Sequence, residues 1–147
     1  MMCLLWYNEI MENLCEKIDK NHAKNMQSLI LASVGDSVHT LFVRSTLAML
    51  DKYKANDLSK KVSRIVNAGN QCKIYFAVES HLTEEELDIA KRARNTHIHS
   101  KAKNFTATDY IHATAYEALL GYLYLTQQQE RLKFILSFGD KEYADRG

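Results

Sequence analysis

The sequence predicts an all-α fold, and three observations carry that reading. The chain has no proline and only five glycines in 147 residues. Its apolar residues recur at helical rather than alternating spacing. Two capping boxes, Thr83 with Glu86 and Thr106 with Asp109, mark helix starts, because each pairs an N-cap hydroxyl with an acid three residues on. At 46% hydrophobic and 25% charged, the chain can bury one core without disulfides or a structural metal, and a single domain over residues 1–147 is expected.

The elements follow in order. A first helix is expected over residues 7–19, with Ile10, Leu14 and Ile18 on one stripe, so that the N-terminal segment 1–24 ends in the polar run DKNHAKN. The second, residues 27–50, is apolar on most faces and is expected to be the central helix. Asn56 offers an N-cap for a third helix reaching residue 80, with Val62, Ile65, Val66 and Phe76 inward. The box at Thr83 opens a short fourth helix carrying Leu87, Ile89 and Ala90, after which residues 91–105 are expected to form a basic loop. The box at Thr106 opens a fifth, YIHATAYEALLGYLYL, and residues 129–138 form a sixth. There is no internal repeat, low-complexity tract or linker.

Composition excludes several classes. Cys3, Cys15 and Cys72 are odd in number and lack metal-ligand spacing, which argues against a disulfide framework or a zinc site and for a reducing cytoplasm. The opening MMCLLWY has no basic flank or cleavage site, so secretion is not expected, and no run approaches the roughly 18 apolar residues of a membrane span. A net charge of +1 gives no global pull toward nucleic acid. Local clustering does: residues 91–105, KRARNTHIHSKAKNF, hold five Lys or Arg, two His and no acid.

The second and fifth helices share a feature. Each is core-like, and each carries one acid near a glycine: Asp36 beside Gly35, and Glu117 four residues before Gly121. A buried carboxylate must be paired, protonated or metal-bound, and the helical neighbours of both acids include no Lys or Arg. The two glycines would let these helices approach closely and bring the acids together.

LASVGDSVHTLFVR resembles the signature segment of the ribonuclease III family, and TAYEALLGYLYL resembles its second acidic motif, where a glutamate precedes Ala-Leu-Ile/Leu-Gly. The order, the separation and the intervening KRARN look most like the short branch of that family, Mini-ribonuclease III, which lacks a double-stranded-RNA-binding domain. The likeness covers roughly residues 29–136. It implies the ribonuclease III helical bundle, with Asp36 and Glu117 as the catalytic metal ligands. The longer enzymes add a glutamate four residues before the first acid and an aspartate three before the second. Ala32 and Thr114 stand there instead, departures the short branch is understood to share, and they leave the metal count open. Water, the scissile phosphate and Ser33 or Thr114 would then complete the shell of Mg²⁺, with Mn²⁺ as a substitute.

The resemblance further implies a Mg²⁺-dependent endoribonuclease that cuts both strands of duplex RNA, leaves 5′-phosphates, matures precursor large-subunit ribosomal RNA in the cytoplasm, and works as a homodimer. Arg92, Arg94, Lys101 and Lys103 are the expected RNA contacts. Two other readings stand beside it: a non-catalytic, RNA-binding or ribosome-associated member of the same fold, and a helical protein-interaction module whose acids serve packing. Taken singly, Asp36 could bridge a helix pair and the basic run could serve solubility. His97 and His99 lack a third ligand within reach, His39 and His112 read as surface or outer-sphere groups, and Tyr116, Tyr122 and Tyr124 read as core and dimer packing rather than stacking platforms.

Overall fold

The structure is a computed structural model and describes residues 15–96 and 104–140. Seven α-helices occur among them: α1 (Lys20–Asn25), α2 (Ser28–Ala48), α3 (Ala55–Ile65), α4 (Ala68–Val78), α5 (Glu84–Arg94), α6 (Ala107–Leu125) and α7 (Gln129–Ser137), with a 3-10 turn at Glu79–His81 and no strand. The all-α class expected from the sequence is the one observed among the described residues.

The bundle is built around α6. This helix packs on α2, α4, α5 and α7, and Ala115, Tyr116, Ala118, Leu119, Leu120, Tyr122 and Leu123 are all fully buried. The expectation that residues 27–50 form the central helix is therefore corrected. In α2 the buried residues Leu31, Ala32, Gly35, Val38, His39, Val43 and Leu47 repeat at helical spacing, while Leu29, Ile30 and Leu41 remain open on the other side. An apolar sequence all round does not bury a helix all round unless partners cover every face.

Both capping boxes form. Thr83 and Thr106 each accept the backbone N–H of the acid three residues on, and Glu86 and Asp109 accept the N–H of their own cap. Other expectations give way. Residues 15–19 are not helical, and Asp19 instead caps α1, inside the run read as a polar tail; the rest of the expected first helix lies outside the described residues. The cap of α3 is Lys54, not Asn56.

The single third helix is in fact two. Asn67 leaves helical geometry at ψ 162°, accepts Asn70 N–H at 3.0 Å and starts α4 afresh. That break resets the phase. Gln71, Cys72, Ile74, Tyr75 and Val78 turn inward, and Phe76, expected in the core, is 53% exposed against His112, with ring centroids 4.5 Å apart. Val62 and Ile65 are buried as expected, in a satellite cluster with Val43 and Leu47 where α3 meets α2.

The N-terminal part of the expected basic loop is helical rather than a loop. Helix α5 continues through Lys91, Arg92 and Arg94, whose charges stabilise a helix C-terminus. Arg92 reaches back to the start of α2, where Nε donates to Ser28 Oγ at 3.2 Å and Nη2 to the Met26 carbonyl at 3.1 Å, with a further bond to the Lys24 carbonyl. Arg94 pairs with Glu79 at 3.6 Å. These two arginines act first as staples within the chain. Lys101 and Lys103, with His97 and His99, lie outside the described residues.

Candidate active site

The site begins with the crossing of α2 and α6. A Cβ built on Gly35 would lie 1.6 Å from the carbonyl oxygen of Glu117, and one on Gly121 would lie 1.9 Å from that of Leu31. The two helices thus touch backbone to backbone, which only glycine allows at these positions. Asp36 follows Gly35 directly, and Glu117 is the residue against which Gly35 packs. The close approach therefore fixes both acids at one point on the surface.

Their environments are unequal. Asp36 is exposed, so its expected inward orientation is corrected, whereas Glu117 is partly buried. Burial first, and the neighbouring Asp36 second, push the Glu117 carboxyl up to about 8. At neutral pH Glu117 therefore keeps its proton and donates it in a hydrogen bond to Asp36. Among the described residues no cation offsets the pair: the counteracting contact is a hydrogen bond from the Gln71 side chain. The acids of these two core-like helices thus form a pair at the rim of the crossing.

Thr114 is buried one turn before Glu117, and its hydroxyl donates to the Tyr110 carbonyl at 2.8 Å. Ser33 is exposed on the α2 face that carries Asp36, and its carbonyl accepts from Ser37 Oγ. Tyr116 and Tyr122 are fully buried in the core, as expected, and the Tyr122 hydroxyl donates to Glu85. His112 is buried, and its Nδ1 lies 2.7 Å from the Thr108 carbonyl.

Two residues were misplaced or missed. His39, read as a surface or outer-sphere group, is not at the surface but completely buried, edge-on to Tyr116 with centroids 5.3 Å apart. Gln71 was not singled out at all, yet it is 2% exposed on α4, contacts Glu117 and lies 3.2 Å from His39 Nδ1. A polar amide among Cys72, Ile74 and Tyr75 was the available signal, but only with the break at Asn67 does its face become the inner one.

The donor set suits a hard cation in part. Two carboxyl groups held together with no Lys or Arg among the described residues favour a divalent ion in place of the proton on Glu117. Among the described residues no group of three or more His, Cys, Asp and Glu gathers anywhere, so further oxygen donors must come from water, a hydroxyl or the substrate.

Comparison with known proteins points the same way. Residues 29–128 match the Ribonuclease III domain. The chain is 38% identical to a Mini-ribonuclease 3 of Clostridium tetani over 124 residues, covering 84% of this chain and 82% of that one. It is 43% identical to a Mini-ribonuclease 3 of Brevibacillus brevis over 108 residues, covering 74% and 81%. A crystal structure of a Fusobacterium nucleatum protein superposes with a TM-score of 0.74 at 32% identity, covering 82% of this chain and 96% of that one.

Proposed function

The chain belongs to the ribonuclease III family, in its Mini-ribonuclease 3 branch, and we propose that its endoribonuclease activity is Mg²⁺-dependent cleavage of both strands of duplex RNA, directed at precursor ribosomal RNA. The observation that carries this reading is the pairing of Asp36 with Glu117 across the Gly35–Gly121 contact. Both residues fit the task of holding Mg²⁺. The bound ion supplies Lewis-acid chemistry, lowering the pKa of an attacking water and offsetting charge on the phosphoryl oxygens. The chain's own residues fix the place of the reaction. The rigid helix crossing sets the spacing of the carboxylates, and the unequal burial leaves Asp36 open to solvent and substrate while Glu117 is held by the fold.

Duplex RNA is recognised through phosphates, 2′-hydroxyls and shape, which suits the cationic segment 91–105. Arg92 and Arg94 already hold in-chain partners, and Lys101 and Lys103 lie outside the described residues. One subunit offers one acid pair and a duplex offers two strands, so the working unit in this reading is a C2 dimer. Leu29, Ile30 and Leu41, open along α2, support a self-association surface. No helix among the described residues is long and apolar enough to cross a membrane, and a cytoplasmic location is part of the proposal.

The test is cleavage of end-labelled duplexes, including a structured large-subunit ribosomal RNA precursor, with Mg²⁺ and with EDTA. Double-strand cuts with 5′-phosphate ends, lost in EDTA and reduced by about three orders of magnitude or more in Asp36→Asn and Glu117→Gln, are expected. RNA retention without cleavage by the native protein would establish a non-catalytic RNA-binding member instead.

A further inference from the structure

Among the described residues Gln71 is the polar side chain that reaches Glu117 from a third helix. At 2% exposure its amide cannot rely on water, so its hydrogen bonds must come from the protein. Its NH₂ lies 3.2 Å from Nδ1 of His39 on α2 and also donates to the carboxylate of Glu117 on α6. One nitrogen with two hydrogens thus serves two acceptors. The opposite amide orientation would set the carbonyl oxygen against the carboxylate, so the placement of the NH₂ is fixed by the site.

His39 has the form this bridge requires. Complete burial lowers it to about 4, so the ring is neutral at pH 7 and Nδ1 can accept. The proton then sits on Nε2, which is buried without a hydrogen-bond partner. An unsatisfied buried N–H is a cost the fold would shed if His39 served packing alone. Taken as a backstop for Gln71, the ring does something an apolar residue could not: it orients an amide that in turn orients an acid.

We infer that Gln71 is a positioning residue, its side-chain amide running from His39 to Glu117 and holding that carboxylate in the orientation that receives the divalent ion beside Asp36. The inference rests on the reading of Asp36 and Glu117 as the metal pair. It assigns Gln71 no contact with RNA. An outer partner of this kind sets the angle of a ligand oxygen and limits its rotation, and losing such a partner costs about 10- to 100-fold in metal affinity or activity.

The experiment compares the full chain with Gln71→Leu and Gln71→Met, which keep volume and remove the amide. Mn²⁺ binding is followed without RNA, by the electron paramagnetic resonance signal of the free ion. Cleavage is titrated with Mg²⁺ at saturating duplex, KM is measured at saturating Mg²⁺, and the Tm is taken without metal. The inference expects weaker Mn²⁺ binding and a higher Mg²⁺ requirement, each by about 10- to 100-fold, with KM for the duplex unchanged and the fold retained, the Tm falling by no more than the loss of the His39 contact accounts for. Metal affinity and Mg²⁺ requirement within twofold of the native protein in either folded variant would overturn it, as would failure of both variants to fold. If the native protein neither binds Mn²⁺ nor cleaves, the metal-pair reading has failed and this inference falls with it. A native enzyme that does both, beside variants that match it, removes the role of Gln71 alone.

Discussion

Replacing Gly35 by alanine adds one methyl group at the place where α2 and α6 meet. On local grounds the change should help, because alanine is favoured over glycine in a helix interior by about 1 kcal/mol. The tertiary contact decides otherwise. The new Cβ would lie 1.6 Å from the Glu117 carbonyl oxygen and 2.9 Å from the Gly121 nitrogen, so α6 must retreat by about 1.4 Å before the first contact reaches even 3.0 Å. The obstructing atoms are backbone and cannot rotate away. Overpacking of this kind costs about 3 kcal/mol or more, which outweighs the propensity gain and lowers the Tm by roughly 5–10 °C. Because Asp36 and Glu117 flank the contact, the same displacement spreads the acid pair, and cleavage should fall by about 100-fold even where the protein remains folded. Gly121→Ala, whose Cβ would lie 1.9 Å from the Leu31 carbonyl oxygen, should behave alike. Thermal denaturation and a Mg²⁺-dependent cleavage assay read both effects. A Gly35→Ala protein with unchanged or raised Tm and native cleavage would show that the helices are not in backbone contact and would remove the geometric basis of the site.

Other consequences are open to direct measurement. Without metal, stability should rise as pH falls from 8 toward 6.5, because the raised pKa of Glu117, about 8 against 4.5 unfolded, makes the folded state bind a proton that the unfolded chain has lost. Below 6.5 the lowered pKa of His39, about 4, works the other way, so the gain should flatten and then reverse, and Glu117→Gln should abolish the rise between 8 and 6.5 in denaturation curves. Arg131→Ala should cost about 3 kcal/mol in chemical denaturation, because it strands Glu86, which is 3% exposed and bonded to Arg131 Nε at 2.6 Å. Arg92→Gln should lower stability by about 1–2 kcal/mol through its lost bonds to the start of α2. Lys101→Gln with Lys103→Gln should leave the Tm unchanged, weaken duplex binding and reduce its salt slope by about two units, measured in Ca²⁺ across a KCl range.

Much of this protein was legible in the sequence because its signals act over one helical turn. The boxes at Thr83 and Thr106 satisfy backbone N–H groups three residues away, so they form wherever the chain beyond them goes. Gly35 next to Asp36, and Glu117 before Gly121, announced a close crossing and an acid pair, since a glycine in an apolar helix serves little else. The absence of proline and the helical recurrence of apolar residues determined the class. What they could not determine was phase and partnership. The break at Asn67 separates α3 from α4, and it turns Gln71 inward and Phe76 outward. The bridge from Gln71 to His39 joins residues 32 apart, and the staple from Arg92 to Ser28 joins residues 64 apart. Nor could local pattern tell that α6 is enclosed while α2, equally apolar, keeps an open face. Burial is set by which neighbours arrive, and that is decided when all the helices share one core rather than by any one of them.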